Sequence, residues 1–183
     1  FADRLLMEAD PFQLIEGMAI AALAVGATRG FVYIRSEYPH AVRTMERAVE
    51  IARAHGVLGA RVLGSAHAFD LSVRMGAGAY ICGEETAMLE SLEGKRGIVR
   101  SKPPIPALSG LFGKPTVIHN VLSLAAVSDI LAKGGAHYAS LGVDRSKGTM
   151  PFQIGGNVKR GGIIELPFGV TLRELLERYA DGT

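Results

Sequence analysis

Cysteine is almost missing from this chain: Cys82 is the only one in 183 residues. A lone thiol excludes an internal disulfide framework and cannot by itself hold a zinc or iron–sulfur centre, so no metal site is expected within the chain. It fits a reducing compartment, and a cytoplasmic location is expected. Net charge is almost missing too. At +2, with no long basic run, the chain lacks the electrostatic footprint of a nucleic-acid or anionic-membrane binder. Long hydrophobic runs are likewise absent. The most apolar, Met18 to Ala27, is bracketed by Gly17 and Gly26 and falls far short of the roughly 20 residues that span a bilayer. Internal repeats and low-complexity tracts do not occur. Phe1 follows no charged-then-apolar leader, and Asp181-Gly-Thr183 comes just after an expected helix, which reads as a piece of a longer protein. What is present, 48% hydrophobic and 21% charged residues, suffices for one packed domain, or one domain and part of another.

The stretch Gly76 to Gly94 is the most informative. Gly76, Gly78 and Gly83 precede two adjacent carboxylates, Glu84 and Glu85, at the expected mouth of a helix, where unpaired N–H groups leave partial positive charge. The spacing G-x-G-x-x-x-x-G differs from the dinucleotide fingerprint G-x-G-x-x-G. Two readings stay open on spacing alone: a ligand loop, or a tight strand-to-helix turn that needs glycine. Under the first, the carboxylates would repel phosphate. The loop would then meet a ring, an amide or sugar hydroxyls, with phosphates elsewhere.

Around this stretch the pattern alternates helix and strand. Asp10-Pro-Phe-Gln13 predicts a capped helix start, with Gln13 reaching back as in a capping box and Phe12, Ile15, Ala19, Ala22 and Val25 on the apolar face. A strand over Phe31–Arg35 follows, then a helix opened by Tyr38-Pro39 with Val42, Met45, Val49 and Ala52 inward, closed at His55-Gly56. Val57 to Gly64 is undecided between a helical turn and a strand. Phe69–Met75 is a strand that leads into the glycine loop, and Glu84 to about Glu93 is a helix. Crossovers of this length keep strands parallel and favour an α/β layer architecture, whose ligands sit beyond the carboxyl ends of the strands.

Gly94 to Ala107 is basic and then proline-rich. Lys95, Arg96, Arg100 and Lys102 are either phosphate partners or members of a solvated connector, and the prolines after Lys102 fix its reach. Asn120 is expected to cap a helix over Val121–Lys133, while His119 would bond either a ligand or a backbone carbonyl. From Gly148 the pattern predicts a hairpin, Thr149–Ile154 and Ile163–Pro167. Then comes a helix with the capping box Thr171-Leu-Arg-Glu174 and with Leu172, Leu175 and Leu176 inward. Hairpin then helix is how a β-grasp module begins.

These segments also carry a family resemblance. Tyr80-Ile-Cys-Gly-Glu-Glu-Thr-Ala87, with Asp3-Arg-Leu-Leu-Met-Glu8, Arg35-Ser-Glu-Tyr-Pro39, Arg100-Ser-Lys-Pro-Pro104 and Gly113-Lys-Pro-Thr116 in the same order, resembles the flavin-bearing NADH-binding subunit. That subunit is shared by respiratory complex I, NAD-reducing hydrogenases and NAD-dependent formate dehydrogenases. Gly148 to Gly162 is similar to the formate dehydrogenase branch.

The resemblance implies a Rossmann-like FMN- and NAD-binding domain with a parallel sheet over residues 1–145, and the start of a ubiquitin-like β-grasp domain over 146–183. Tyr80, Gly83, Glu84, Ile118, His119, Asn120 and Ser123 match positions that contact FMN. Glu85 and Lys102 match positions lining the NADH pocket. Partners implied are iron–sulfur subunits and a molybdenum formate dehydrogenase subunit, with a 4Fe–4S cluster whose ligands lie outside this chain. No catalytic acid or base is expected, since the protein orients two rings and the flavin carries the chemistry.

Three departures stand out. The family commonly has asparagine where this chain has His119, and often an aromatic where it has Ile105. Its upstream glycine-rich flavin loop and downstream cysteine cluster have no counterpart here. A rival of another class is a non-catalytic α/β module kept for subunit contacts.

Overall fold

The computed structural model describes all 183 residues, and the chain divides into two compact units, 4–125 and 126–183, the latter counted with residues 1–3. The larger unit takes in all but the first two residues of α1 (Ala2–Ala9) and the whole of α2 (Pro11–Val25). Asp10 caps α2 as expected, its Oδ1 accepting from the Gln13 amide at 3.2 Å, and Pro11 takes the first turn. The reciprocal half of the capping box does not form. Asp10 N–H already donates to the Leu6 carbonyl at 2.8 Å, so the Gln13 side chain turns away and donates to the Ala125 carbonyl at 3.1 Å.

The buried face of α2 also differs from expectation. Ile15 and Ala22 are buried, but Phe12 and Val25 are exposed, and Leu14 and Gly17 take the inner positions. α2 is apolar nearly all round, so its periodicity does not choose a face. Gly17 chooses it. A Cβ there would lie 1.8 Å from the Leu124 carbonyl oxygen, so a second helix, α5 (Val121–Lys133), approaches backbone to backbone at this point.

β1 (Arg29–Ile34), α3 (Pro39–Ala54) and β2 (Asp70–Met75) form a strand–helix–strand crossover, and the two strands pair in parallel from Arg29↔Asp70 to Ile34↔Met75. The core lies between this ribbon and the helices. Val42, Met45, Val49 and Ala52 of α3 are buried as their spacing predicts, together with Leu14, Ile15, Ile34, Phe69 and Leu71. The undecided Val57–Gly64 is neither helix nor regular strand: Gly59 makes a single antiparallel bridge to Phe69, and Val62–Gly64 is one 3₁₀ turn. α4 (Glu85–Leu92) follows the glycine loop, and an irregular strap over 94–120 leads to α5.

The smaller unit contains α6 (Gly135–Ser140), a two-residue ribbon of β3 (Gly142–Val143) and β4 (Ser146–Lys147), and the hairpin β5 (Thr149–Ile154) and β6 (Gly162–Pro167). It ends in the one-turn helix α7 (Leu172–Glu174), which widens into π geometry over Leu175–Tyr179. Hairpin then helix is the expected order. The division at Ala125–Ala126 precedes the 145/146 boundary expected from sequence, because residues 135–148 fold with the hairpin. Gly148 N–H donates to Leu141 O at 3.0 Å, Gly148 O accepts from Phe168 N–H at 3.2 Å, and a Cβ at Gly169 would meet Val143. The Thr171–Glu174 capping box is complete. Leu172, expected inward, is 72% exposed, because a helix this short turns only Leu175 and Leu176 toward its unit.

Candidate functional site

The end of β2 delivers the chain into Gly76-Ala-Gly78. Gly76 must be glycine, because a Cβ there would meet the Tyr33 hydroxyl at 2.7 Å, and that phenol is anchored to Ser91 Oγ of α4 at 2.9 Å. Burial raises the Tyr33 pKa, so the phenol stays protonated as a hydrogen-bonding pin. Gly78 has φ of +86°, a left-handed conformation. Gly83 has neither constraint: its φ is not positive and a Cβ would meet nothing within 4 Å. The bland reading, a turn that needs glycine, therefore accounts for Gly76 and Gly78 and leaves Gly83 unexplained.

A 3₁₀ turn over Tyr80–Gly83 connects the loop to α4 and leaves the Tyr80 ring 91% exposed. Glu84 is the N-cap of α4. Its Oε2 accepts from Thr86 N–H at 2.9 Å, Ala87 N–H at 2.8 Å and Thr86 Oγ at 2.6 Å. The Thr86 hydroxyl above all, then the two amides, hold the Glu84 pKa below the ordinary carboxylate value. Glu84 Oε1 is left facing Lys102 Nζ at 3.5 Å, and Lys102 also donates to Glu85 Oε1. The bond to Glu85 raises the Lys102 pKa. Two carboxylates and an ammonium thus stand together at the exposed mouth of α4, and the uncovered Tyr80 ring lies in the turn that precedes it.

The strap that brings Lys102 here is fixed from inside. Arg100 Nε donates to Glu90, its Nη2 to Glu93 at 2.8 Å, and its Nη1 to the Gly110 carbonyl at 3.0 Å. Glu93, 6% exposed, also accepts from Lys95 Nζ at 2.8 Å and Phe112 N–H at 2.7 Å. Lys95 first, then Arg100, lower its pKa to about 2. Of the four strap cations set against phosphate, three are thus engaged by carboxylates of α4 or its caps. Arg100 belongs to the interior of the strap, contrary to a phosphate role, because Glu90 and Glu93 lie within its reach. Thr86, Glu93 and Tyr33 were not singled out by sequence. The usable signal was Glu90 and Glu93 at i,i+3 on α4, followed within ten residues by Arg100.

Ile118, His119, Asn120 and Ser123 gather at a second helix N-terminus. Asn120 Oδ1 accepts from the Ser123 amide at 2.8 Å, the cap expected for α5. His119 is exposed and Ile118 half-buried. The polar contacts join Glu84, Glu85 and Lys102 into one cluster and Asn120 and Ser123 into another. Beyond both, no helix of the structure is long and apolar enough to cross a membrane.

The chain is similar to several known proteins. An NADH-quinone oxidoreductase subunit of Rhizobium meliloti is 53% identical over 182 residues, which is all of this chain and 43% of that protein. HndC, a subunit of the NADP-reducing hydrogenase of Solidesulfovibrio fructosivorans, is 46% identical over 176 residues, 96% of this chain and 36% of that one. Among solved structures, an NAD+-reducing NiFe-hydrogenase in its H2-reduced state superposes with a TM-score of 0.86 at 41% identity, covering 96% of this chain and 29% of that chain. That likeness bears out the α/β, Rossmann-like expectation for the fold. The chain spans less than half the length of these relatives. A family model described as the Nuo51 FMN-binding domain (Complex1_51K) matches residues 1–129, about seven-tenths of the sequence, and the chain therefore belongs to that family.

Proposed function

We propose that this chain supplies one wall of the flavin and nicotinamide site in an FMN-containing, NAD(H)-binding subunit of a multi-subunit oxidoreductase. The observation that carries the reading is the mouth of α4, where Glu84, Glu85 and Lys102 converge just after the turn that bears the exposed Tyr80 ring and Gly83, at which a Cβ would meet nothing. The donor set fits the ligands. An uncovered aromatic suits a planar ring, carboxylates accept from amide N–H and ribose hydroxyls, and the ammonium suits the anionic part of a nucleotide.

In this reading Tyr80, Gly83, Glu84, Ile118, His119, Asn120 and Ser123 hold FMN, and Glu85 and Lys102 hold NAD(H). FMN, when bound, supplies the conversion between hydride exchange with NAD(H) and single-electron exchange with an iron–sulfur chain. The residues of this chain orient the two ligands and offer no proton at a reacting atom. A 4Fe–4S cluster in the full-length subunit, iron–sulfur partner subunits and a cytoplasmic location belong to the same proposal.

The finer reading, an NAD-dependent formate dehydrogenase with a molybdenum-bearing partner, rests on the resemblance of Gly148 to Gly162. A complex I or hydrogenase subunit is the second reading, favoured by the names of the relatives above. The full gene product should carry flavin absorption bands and oxidise NADH with an artificial electron acceptor. Co-purified partners that reduce NAD+ with formate would establish the finer branch, and dependence on hydrogen or quinone would establish the second. A flavin-free protein without affinity for NAD(H) would favour the non-catalytic module.

A further inference from the structure

Thr86 is the one buried polar residue of the larger unit, at 2% exposure, and both hydrogen-bonding capacities of its hydroxyl are used across different pieces of the chain. Oγ donates to Glu84 Oε2 at 2.6 Å and accepts from the Arg100 backbone N–H at 2.9 Å. The first bond helps turn Oε2 of the cap onto the helix, leaving Oε1 on the side of Lys102. The second holds the strap two residues before Lys102, where the Arg100 side chain is separately fastened to Glu90, Glu93 and Gly110 O. One hydroxyl therefore touches both the carboxylate of the cap and the segment that carries the ammonium.

We propose that Thr86 is a positioning residue whose hydroxyl couples the orientation of the Glu84 carboxylate to the path of the strap at Arg100. Glu84 and Lys102 are thereby presented to the bound cofactors as a pre-set pair. This rests on the reading of the α4 mouth as a flavin and nicotinamide site. A hydroxyl suits the task because it donates and accepts at once at a buried position. Valine has the same shape as threonine and neither capacity. Serine keeps both and loses only a methyl group.

The test uses the full gene product with Thr86→Val and Thr86→Ser. Amide hydrogen exchange at 98–102, measured without cofactor, should be about tenfold faster in the valine variant and unchanged in the serine variant, as for the loss of one hydrogen bond of ordinary strength. With NADH and an artificial acceptor, Thr86→Val should raise KM roughly tenfold and leave kcat within about threefold, with Thr86→Ser near wild type. Unchanged exchange in Thr86→Val, or equal effects of serine and valine, would overturn the coupling. Should Thr86→Val not fold, comparing Thr86→Ser with Thr86→Ala separates the same two outcomes. A wild-type protein that binds neither flavin nor NADH would sink the functional reading instead, while exchange still decides whether the hydroxyl ties the cap to the strap.

Discussion

Replacing Glu93 by glutamine removes one charge from the junction of α4 and the strap while nearly preserving shape. Glu93 accepts from Arg100, Lys95 and the Phe112 amide, and these contacts hold its pKa at about 2 against an ordinary 4.5. At about 1.4 kcal/mol per unit, that shift sets a ceiling of about 3.5 kcal/mol on the stabilisation. Lys95 is 60% exposed, so its part is screened by solvent, and about 2 kcal/mol is the expected loss for Glu93→Gln near neutral pH. The sign follows from linkage. A carboxyl whose folded pKa is depressed stabilises the fold above its unfolded pKa, and that contribution disappears as the pH falls through the folded value. The difference between wild type and variant, read from urea denaturation, should therefore be full near pH 7 and fall to under half by about pH 3. A difference of the same size at both pH values would refute the argument, because it would trace to shape rather than charge.

Two further substitutions separate packing from binding. Gly17→Ala places a Cβ 1.8 Å from the Leu124 carbonyl oxygen and must push α2 and α5 apart; after the roughly 1 kcal/mol that alanine contributes to a helix, a net loss of about 2 kcal/mol or more is expected in thermal or chemical melts. A variant as stable as wild type would mean that the helices do not meet there. Gly83→Ala meets nothing in its own chain, so stability should stay within about 0.5 kcal/mol while the full gene product loses most of its flavin. Full flavin retention would remove Gly83 from the site.

Much of the fold was legible because single elements declared themselves. α3 is amphipathic, and its four expected core positions are all buried. The crossover length from β1 to β2 implied parallel pairing, and that is the pairing observed. α2 was misread because its sequence is apolar nearly all round, so the close approach at Gly17, a tertiary fact, chose its inner face. The Gln13 side chain escaped the capping box for a similar reason, since the end of α1 had already taken the donor of Asp10. At the site, adjacent carboxylates at a helix mouth were readable from local spacing. The pairing of Arg100 with Glu90 and Glu93 was not, because a basic connector looks the same whether its cations face water or fold back onto the preceding helix. Thr86 was invisible for the same cause. Nothing local distinguishes a threonine in the first turn of a helix from one whose hydroxyl is claimed by a strap fourteen residues later.

The central claim, that the mouth of α4 receives flavin and nicotinamide on different carboxylates, is tested most directly by Glu85→Ala in the full gene product. Visible absorption would count bound flavin, and a titration would give the affinity for NADH. Glu85 stands half exposed beside Lys102 and caps no helix, whereas Glu84 is committed to the α4 amides. Flavin content should therefore match wild type while the NADH affinity falls about tenfold, as for loss of one hydrogen bond to a charged group. Flavin and NADH binding both unchanged would contradict the assignment of Glu85 and, with it, the account of this site.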